Sequence, residues 1–445
     1  MSIPKKWLLF DKNDNKAELI AQKFNISPVT AQVLINRGIT EESQVYDFIN
    51  PDIGQFLNPF DMKNMKEATE CICFHIEKGS KIAVFGDYDV DGITSTYILY
   101  DYLKNLGVDA VYYIPNRSDE GYGLNTGAVD SLCAEGVQLI ITVDVGITAI
   151  NEVDYIKSKG IDVVVTDHHT PIDKLPEANA VINPKIDGCK YANKELAGVG
   201  VAFKLVYALS GCKKEIIDKY SAFACIGTIA DMVPLVGENR FIASYGLKCI
   251  PHCDNIGLKS LIEISNIDAD CIDSGNISFA IAPRLNAAGR IDSAETSVNL
   301  FLTKDDEEAH RLASILDSEN KERQDEEQKI LESAIGIIEE QKLYNDNVIV
   351  VANHGWHHGI IGIVSSKITE KYYKPSTVIS INDDGSAKAS GRSISGFNLF
   401  DSLSACSDVL TKFGGHELAA GFSLNESDID LFRNKINEYS KGIMT

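Results

Sequence analysis

The chain has 445 residues, with 42 Lys plus Arg against 64 Asp plus Glu, giving a formal charge of −22. An apolar fraction of 44% with 24% charged residues is that of an ordinary globular protein and excludes a disordered acidic chain. The sequence has no run of about 18 apolar residues that could span a membrane, and Trp7-Leu8-Leu9-Phe10 is too short an apolar stretch for a signal peptide. At roughly 150 residues per domain, a cytoplasmic protein of about two to four domains is expected. The acidic balance argues against a nucleic-acid coat protein. It leaves room for an enzyme whose nucleic-acid contacts are confined to particular Arg and Lys residues.

Residues 1–60 read as short helices. Ala17–Phe24, Thr30–Arg37 and Glu41–Phe48 carry apolar residues at helical spacing, punctuated by Pro28, Gly38 and Pro51. From Lys81 the pattern changes. The β-rich runs Ile82–Phe85, Ala110–Ile114, Leu139–Val143 and Asp162–Thr166 alternate with helical stretches Ile93–Leu106, Thr126–Ala134 and Thr148–Lys159. Gly107, Gly136 and Gly160 close those helices, as C-termini prefer. Such alternation predicts βαβ units and a parallel sheet with helices on both faces. Helices Val201–Leu209 and Tyr220–Ile229 follow, and then one long helix from Asp305 to Lys342. Its centre, Asp317–Lys329, is nearly devoid of apolar residues, which predicts a connector bridging two domains through solvent. Asn347–Ala352, Ile363–Ile368 and Thr377–Ile381 begin a second, smaller α/β domain, and Ile429–Tyr439 is a helical tail. The divisions expected are 1–60, 61–303, 304–342 and 343–445.

The ten cysteines are scattered, and Cys71, Cys73, Cys225 and Cys406 read as small buried hydrophobes. Cys249, His252 and Cys253, with Cys271 further on, lack the second close ligand pair of a structural zinc site and read as packing residues.

Ligands of open parallel sheets bind outside the carboxyl ends of the strands. Here three strand ends run into Gly86-Asp87-Tyr88-Asp89-Val90-Asp91-Gly92, Asp144-Val145-Gly146 and Asp167-His168-His169. One rim would gather all these carboxylates and imidazoles, which cannot stay ionised together without cations. The donor types suit Mn2+ or a related octahedral ion, and paired ions are a recurrent device for phosphoester hydrolysis. An EF-hand-like calcium loop starting at Asp87 would need Glu at its twelfth position, where Ile98 stands. Asp231, ending an apolar helix before Pro234, reads from spacing alone as a cap or surface residue.

Gly86–Thr94, Thr142-Val-Asp144, Val165-Thr-Asp167-His168-His169 and Thr228-Ile-Ala-Asp231-Met-Val-Pro234 resemble, in order, the four motifs of the DHH phosphoesterase superfamily. Within it the chain is similar to the single-strand-specific 5′→3′ DNA exonucleases, and the similarity continues through Arg284–Arg290, Gly355–Val364, Ser390-Gly-Arg392-Ser and Gly414-Gly-His416. The resemblance implies an α/β fold: a parallel-sheet DHH core joined by a long helix to a smaller α/β DHH-associated domain. It implies a pair of divalent ions, Mn2+ or Mg2+, held by Asp87, Asp89, Asp91, Asp144, His168 and Asp231, with Asp144 in the bridging position. Asp144, His168 and His169 would carry the chemistry, His169 as a phosphate contact. Arg117, Arg284, Arg290, Ser390, Arg392, Gly414, Gly415 and His416 would hold substrate. Tyr88 and Trp356 are either base-stacking or packing residues.

The expected function is 5′→3′ digestion of single-stranded DNA in repair and recombination, threaded through an inter-domain cleft, with a helicase or single-strand-binding protein as partner. The alternatives are a phosphodiesterase of small nucleotides and a non-catalytic replication scaffold; loss of ligand carboxylates would mark the scaffold, and all are present. About thirty residues follow His416. They cannot hold the five strands of the oligonucleotide-binding barrel that such relatives carry, so weak single-strand affinity is expected.

Overall fold

The computed structural model describes residues 6–116, 120–121, 123–291 and 293–443. The chain divides into two compact units, one of residues 9–319 and one formed mainly by residues 320–445.

The first unit opens with α1 (Asp14–Phe24), α2 (Pro28–Asn36) and α3 (Glu42–Ile49), which share a small core around Ala31, Leu34 and Val45. After α4 (Met65–Lys78) come β1 (Ile82–Phe85), α5 (Val90–Asn105), β2 (Ala110–Tyr113), α6 (Thr126–Ala134), β3 (Leu139–Val143), α7 (Ile150–Ser158), β4 (Asp162–Thr166) and β5 (Ala180–Ile182). The five strands are all parallel, in the order β2-β1-β3-β4-β5. The strand order reverses between β1 and β3, which is where such sheets bind ligands. Alternation along the strands supplies both faces. Ile82, Val84, Ile141 and Val164 face one core, and Ala83, Phe85, Ile140 and Val165 face the other.

The larger core is closed by α8 (Gly198–Leu209), α9 (Lys214–Ala230), α10 (Gly237–Cys249) and α11 (Ile256–Ile264). It continues through α12 (Ser274–Asn276), a π-helical turn (Ile277–Ile281), α13 (Ala282–Ile291) and α14 (Glu295–Leu302). A charged pair is sealed within it. Lys204 and Glu238 are fully buried and 2.7 Å apart, and Glu238 also accepts from the Tyr191 hydroxyl and from Leu57 N–H. Lys204 Nζ donates to the Leu57 carbonyl and lies 3.3 Å from the centre of the Phe56 ring. Burial of a charge is tolerated only with this degree of pairing.

Helix α15 (Asp306–Glu340) crosses the division between the units, at residues 319 and 320. Its polar centre is not solvated all round, as the sequence suggested. On the first-unit side Asp317 meets the Arg284 guanidinium at 2.9 Å. On the other side the buried Glu327 accepts from Arg323 at 2.8 Å and pairs with Lys367. The polarity marks side-chain partners.

The second unit holds β6 (Ile349–His354), α16 (Ile361–Tyr372), β7 (Ser376–Ile381), β8 (Ser386–Arg392), α17 (Leu399–Ala405), β9 (Lys412–Gly415), β10 (Ala419–Asn425) and α18 (Ile429–Ser440). The sheet order is β6-β7-β8-β10-β9, with β6 and β7 parallel and the other pairs antiparallel. Trp356 is buried in this unit's core with Ile361 and Val364, in keeping with the packing alternative. All ten cysteines are free, and Cys73 is exposed where an apolar setting was expected. No helix among the described residues is long and apolar enough to cross a membrane.

Candidate metal centre

The loop after β1 turns directly into α5, with Asp89 as the N-cap accepting from Gly92 N–H at 3.0 Å. That puts Asp87, Asp89 and Asp91 at one helix N-terminus, where the backbone dipole favours negative charge. Asp144 follows β3 with φ +61°, a left-handed conformation rare for a residue with a β-carbon. His168 and His169 follow β4, and Asp231 is the C-cap of α9.

These side chains form three overlapping groups whose ligand atoms lie within 4.8 Å of one another: Asp87/Asp89/Asp144, Asp91/His168/Asp231 and Asp144/His168/His169. Asp144 and His168 each belong to two of them. His168 Nε2 is 3.2 Å from Asp144 Oδ1, 3.7 Å from Asp231 and 3.8 Å from Asp91. The structure thus brings together every residue of the expected ligand set, including Asp231, which spacing alone assigned to a cap. Cys249, His252 and Cys253 form no such group among the described residues.

The electrostatics follow from crowding. Burial, and then the charge of Asp89, push the Asp91 carboxyl up to about 7, against two backbone N–H groups that lower it. Burial raises Asp144 well above the carboxylate range, and Asp91, Asp89 and Asp87 add to it. Asp231 is raised to about 7 by burial and by Asp91. Burial holds the His168 imidazole below its ordinary value. His169 goes the other way: burial opposes protonation, but the Asp167 hydrogen bond and charge raise it to about 9.

The donor set fits a hard divalent cation. It consists of carboxylate oxygens with one or two imidazoles. Asp144 Oδ1 is buried with no hydrogen-bond partner among the described residues, a cost that a bound cation at the cluster would offset.

Several supporting contacts were not anticipated. The first turn of α8 clamps Asp91, with Gly198 N–H at 2.6 Å and Val199 N–H at 2.7 Å from its two oxygens. The glycine is required, because a β-carbon there would fall 2.4 Å from Asp144 Oδ1. The run Gly198-Val199-Gly200 opening an apolar helix was the available signal. Asp167 lies in none of the three groups. It accepts from His168 N–H at 2.7 Å, His169 Nδ1 at 2.7 Å and Ile147 N–H at 2.9 Å, so it orients the histidines as a carboxylate behind a ligand does. Asn286 on α13 accepts from Val90 N–H at 3.2 Å and so braces the start of α5.

The expected substrate residues fall in both units. Arg117 lies outside the described residues. Arg284 and Arg290 are on α13, with Arg284 mostly buried and committed to Asp317 and the Ala280 carbonyl. In the second unit Ser390 and Arg392 sit on β8, where Arg392 Nη1 donates to Ser390 Oγ at 3.2 Å. The first turn of α16 presses against them: a β-carbon on Gly362 would lie 2.9 Å from Ser390 Oγ and 3.2 Å from Arg392 Nη2. A helix N-terminus, a hydroxyl and a guanidinium are the kinds of group that anion sites use. Gly414 and Gly415 lie on β9, and the exposed His416 donates its backbone N–H to Ala419 O at 2.8 Å.

A parallel sheet whose strand ends carry these aspartates and the Asp-His-His run defines the class. Residues 81–228 match the DHH family, N-terminal domain, and residues 345–442 match the DHHA1 domain. The chain is 43% identical to the single-stranded-DNA-specific exonuclease RecJ of Bacillus subtilis over 99% of its own length, and 36% identical to that of Salmonella typhimurium over 96%. It spans 56% and 76% of those two proteins, respectively. The crystal structure of RecJ from Thermus thermophilus in complex with Mn2+ superposes with a TM-score of 0.83 at 30% identity, covering 100% of this chain and 62% of that one. The chain belongs to the RecJ family of single-stranded-DNA-specific exonucleases.

Proposed function

We propose that this chain is a divalent-metal-dependent exonuclease that hydrolyses single-stranded DNA from its 5′ end, serving repair and recombination in the cytoplasm. The observation that carries the reading is the sharing of Asp144 between the Asp87/Asp89 group and the His168 group, as a carboxylate bridging two ions would require. Asp87, Asp89, Asp91, Asp144, His168 and Asp231 would hold the ions, Mn2+ by preference and Mg2+ as the alternative. Bound ions of this kind activate water and neutralise phosphate charge.

The chain's own residues do the rest. Asp91, fixed by Gly198 and Val199, and Asp144, held in its left-handed turn, keep the ligands in place before substrate arrives. Asp167 holds His169 through Nδ1, leaving the other ring nitrogen for a phosphate oxygen. Arg117, Ser390 and Arg392 would take the terminal 5′ phosphate, with Gly414, Gly415 and His416 along the strand. Arg290 would contact the backbone. Arg284 would act there only by sharing its guanidinium with Asp317. A helicase or single-strand-binding protein would supply the unwound strand.

The test is digestion of single strands labelled at the 5′ or the 3′ end, with chelator, Mn2+ or Mg2+. Mononucleotides released from the 5′ end only with metal are expected. Asp144→Ala should fold and lose several orders of magnitude in rate, as loss of metal-assisted catalysis does. Turnover of dinucleotides but not of long strands would overturn the reading.

A further inference from the structure

The first unit carries a basic stripe that the metal centre does not use. Arg240, Ser244 and Lys248 recur every fourth residue along α10, and His252 continues the series in the turn that follows. Four residues of helix advance about 6 Å, so the series covers roughly 18 Å in steps close to the spacing of successive phosphates on an extended strand. All four side chains line one cleft of about 520 Å³, where Asp270 is the only acid in the wall among the described residues. In a chain of formal charge −22 such a row is out of keeping with its surroundings.

The cations are not consumed by local pairing. Arg240 spends Nε on the Phe48 carbonyl and lies 4.4 Å from the centre of that ring. Arg240, Lys248, His252 and Arg37 have no carboxylate partner among the described residues. Burial and then the neighbouring Arg37 disfavour the charge on Arg240, so the two positive charges are close enough to repel. The residue preceding Arg240 ties α10 to the segment that leads into α8. Asn239 donates to the Glu195 carbonyl, three residues before the Gly198 that clamps Asp91.

We propose that Arg37, Arg240, Ser244, Lys248 and His252 form a track for the sugar-phosphate backbone of single-stranded nucleic acid, engaging the part of the strand away from the cut. This rests on the nuclease reading above and adds a second contact surface to it. Repeated anions at regular intervals favour a phosphodiester backbone over an acidic peptide.

The experiment is steady-state digestion with Mn2+ of a 6-nucleotide and a 40-nucleotide single strand at several salt concentrations. The variant is Arg37→Gln/Lys248→Gln, both exposed positions. Arg240→Gln is a second variant, checked for an unchanged melting temperature. The 40-mer KM should rise about five- to tenfold with kcat unchanged, since remote uniform binding is lost, and the 6-mer should be unaffected. The slope of log kcat/KM against log salt should flatten by about 1.4 for two lost contacts at roughly 0.7 each. An unchanged KM and slope on the 40-mer overturns the track. So does loss of polyglutamate binding with DNA kinetics intact, which would assign the stripe to an acidic protein. A wild-type chain that cuts neither strand with Mn2+ would instead overturn the nuclease reading, so the two failures are distinct.

Discussion

Gly198 stands against Asp144 so closely that a β-carbon would lie 2.4 Å from the carboxylate oxygen, while its N–H holds Asp91 at 2.6 Å. One residue of α8 thereby sets the separation of two carboxylates, one in the first turn of α5 and one after β3. Gly198→Ala should displace Asp144 and lower metal affinity or activity about 10- to 100-fold, the usual effect of disturbing the support of a ligand. Mn2+ titration by calorimetry, with rate assays at saturating metal, measures it. Unchanged affinity would show that the contact relaxes without consequence.

The contribution of the raised groups to the stability of the metal-free protein should fall as pH rises, outweighing the opposite contribution of His168. Asp91 and Asp231 titrate near 7 in the fold, above the ordinary value of about 4. Between those values the folded chain binds more protons than the unfolded one, so stability is greatest below about pH 4 for these groups and is lost through pH 7. His169, raised to about 9, contributes the same sign above about pH 6.5. Melting in chelator should show Tm dropping from pH 5 to pH 7.5. Added Mn2+ should raise Tm far more at pH 7.5 than at pH 5, because metal and protons compete for the same oxygens.

Arg392→Ala should weaken any preference for 5′-phosphorylated over 5′-hydroxyl ends, since a terminal phosphate carries more charge than a diester and Arg392 would supply a cation to the proposed pocket. The ratio of initial rates on the two ends reads this directly. An unchanged ratio would place the terminal contact elsewhere.

Glu238→Ala should cost about 3–5 kcal/mol, the penalty for leaving a buried partner charge unpaired, and should strand the Tyr191 hydroxyl and Leu57 N–H as well. Urea unfolding measures the loss. The paired replacement Lys204→Met/Glu238→Leu should recover most of it.

Much of the first unit could be read from sequence. β1, β3 and β4 fall where expected because each is a short apolar run bounded by a glycine helix end and a polar strand end. The three strand-end clusters follow from that parallel order. Other features depend on contacts distant in sequence. Asp231 is the cap that spacing suggested, but nothing adjacent to it in sequence signals that α9 ends beside His168. The clamp on Asp91 comes from residues 107 and 108 positions away. The centre of α15 read as solvated because polarity alone does not distinguish water from a partner such as Arg284 or Lys367.

The cage around Lys204 bears on how this chain can be divided. Phe56 supplies the aromatic wall over the ammonium group and Leu57 a carbonyl beneath it, and both precede the catalytic sheet. A deletion ending at residue 60 would remove helices that have a core of their own, and would also uncover a cation and an anion embedded in the catalytic half. The leading residues are therefore not a detachable appendage, and a shortened chain should be insoluble before it is inactive.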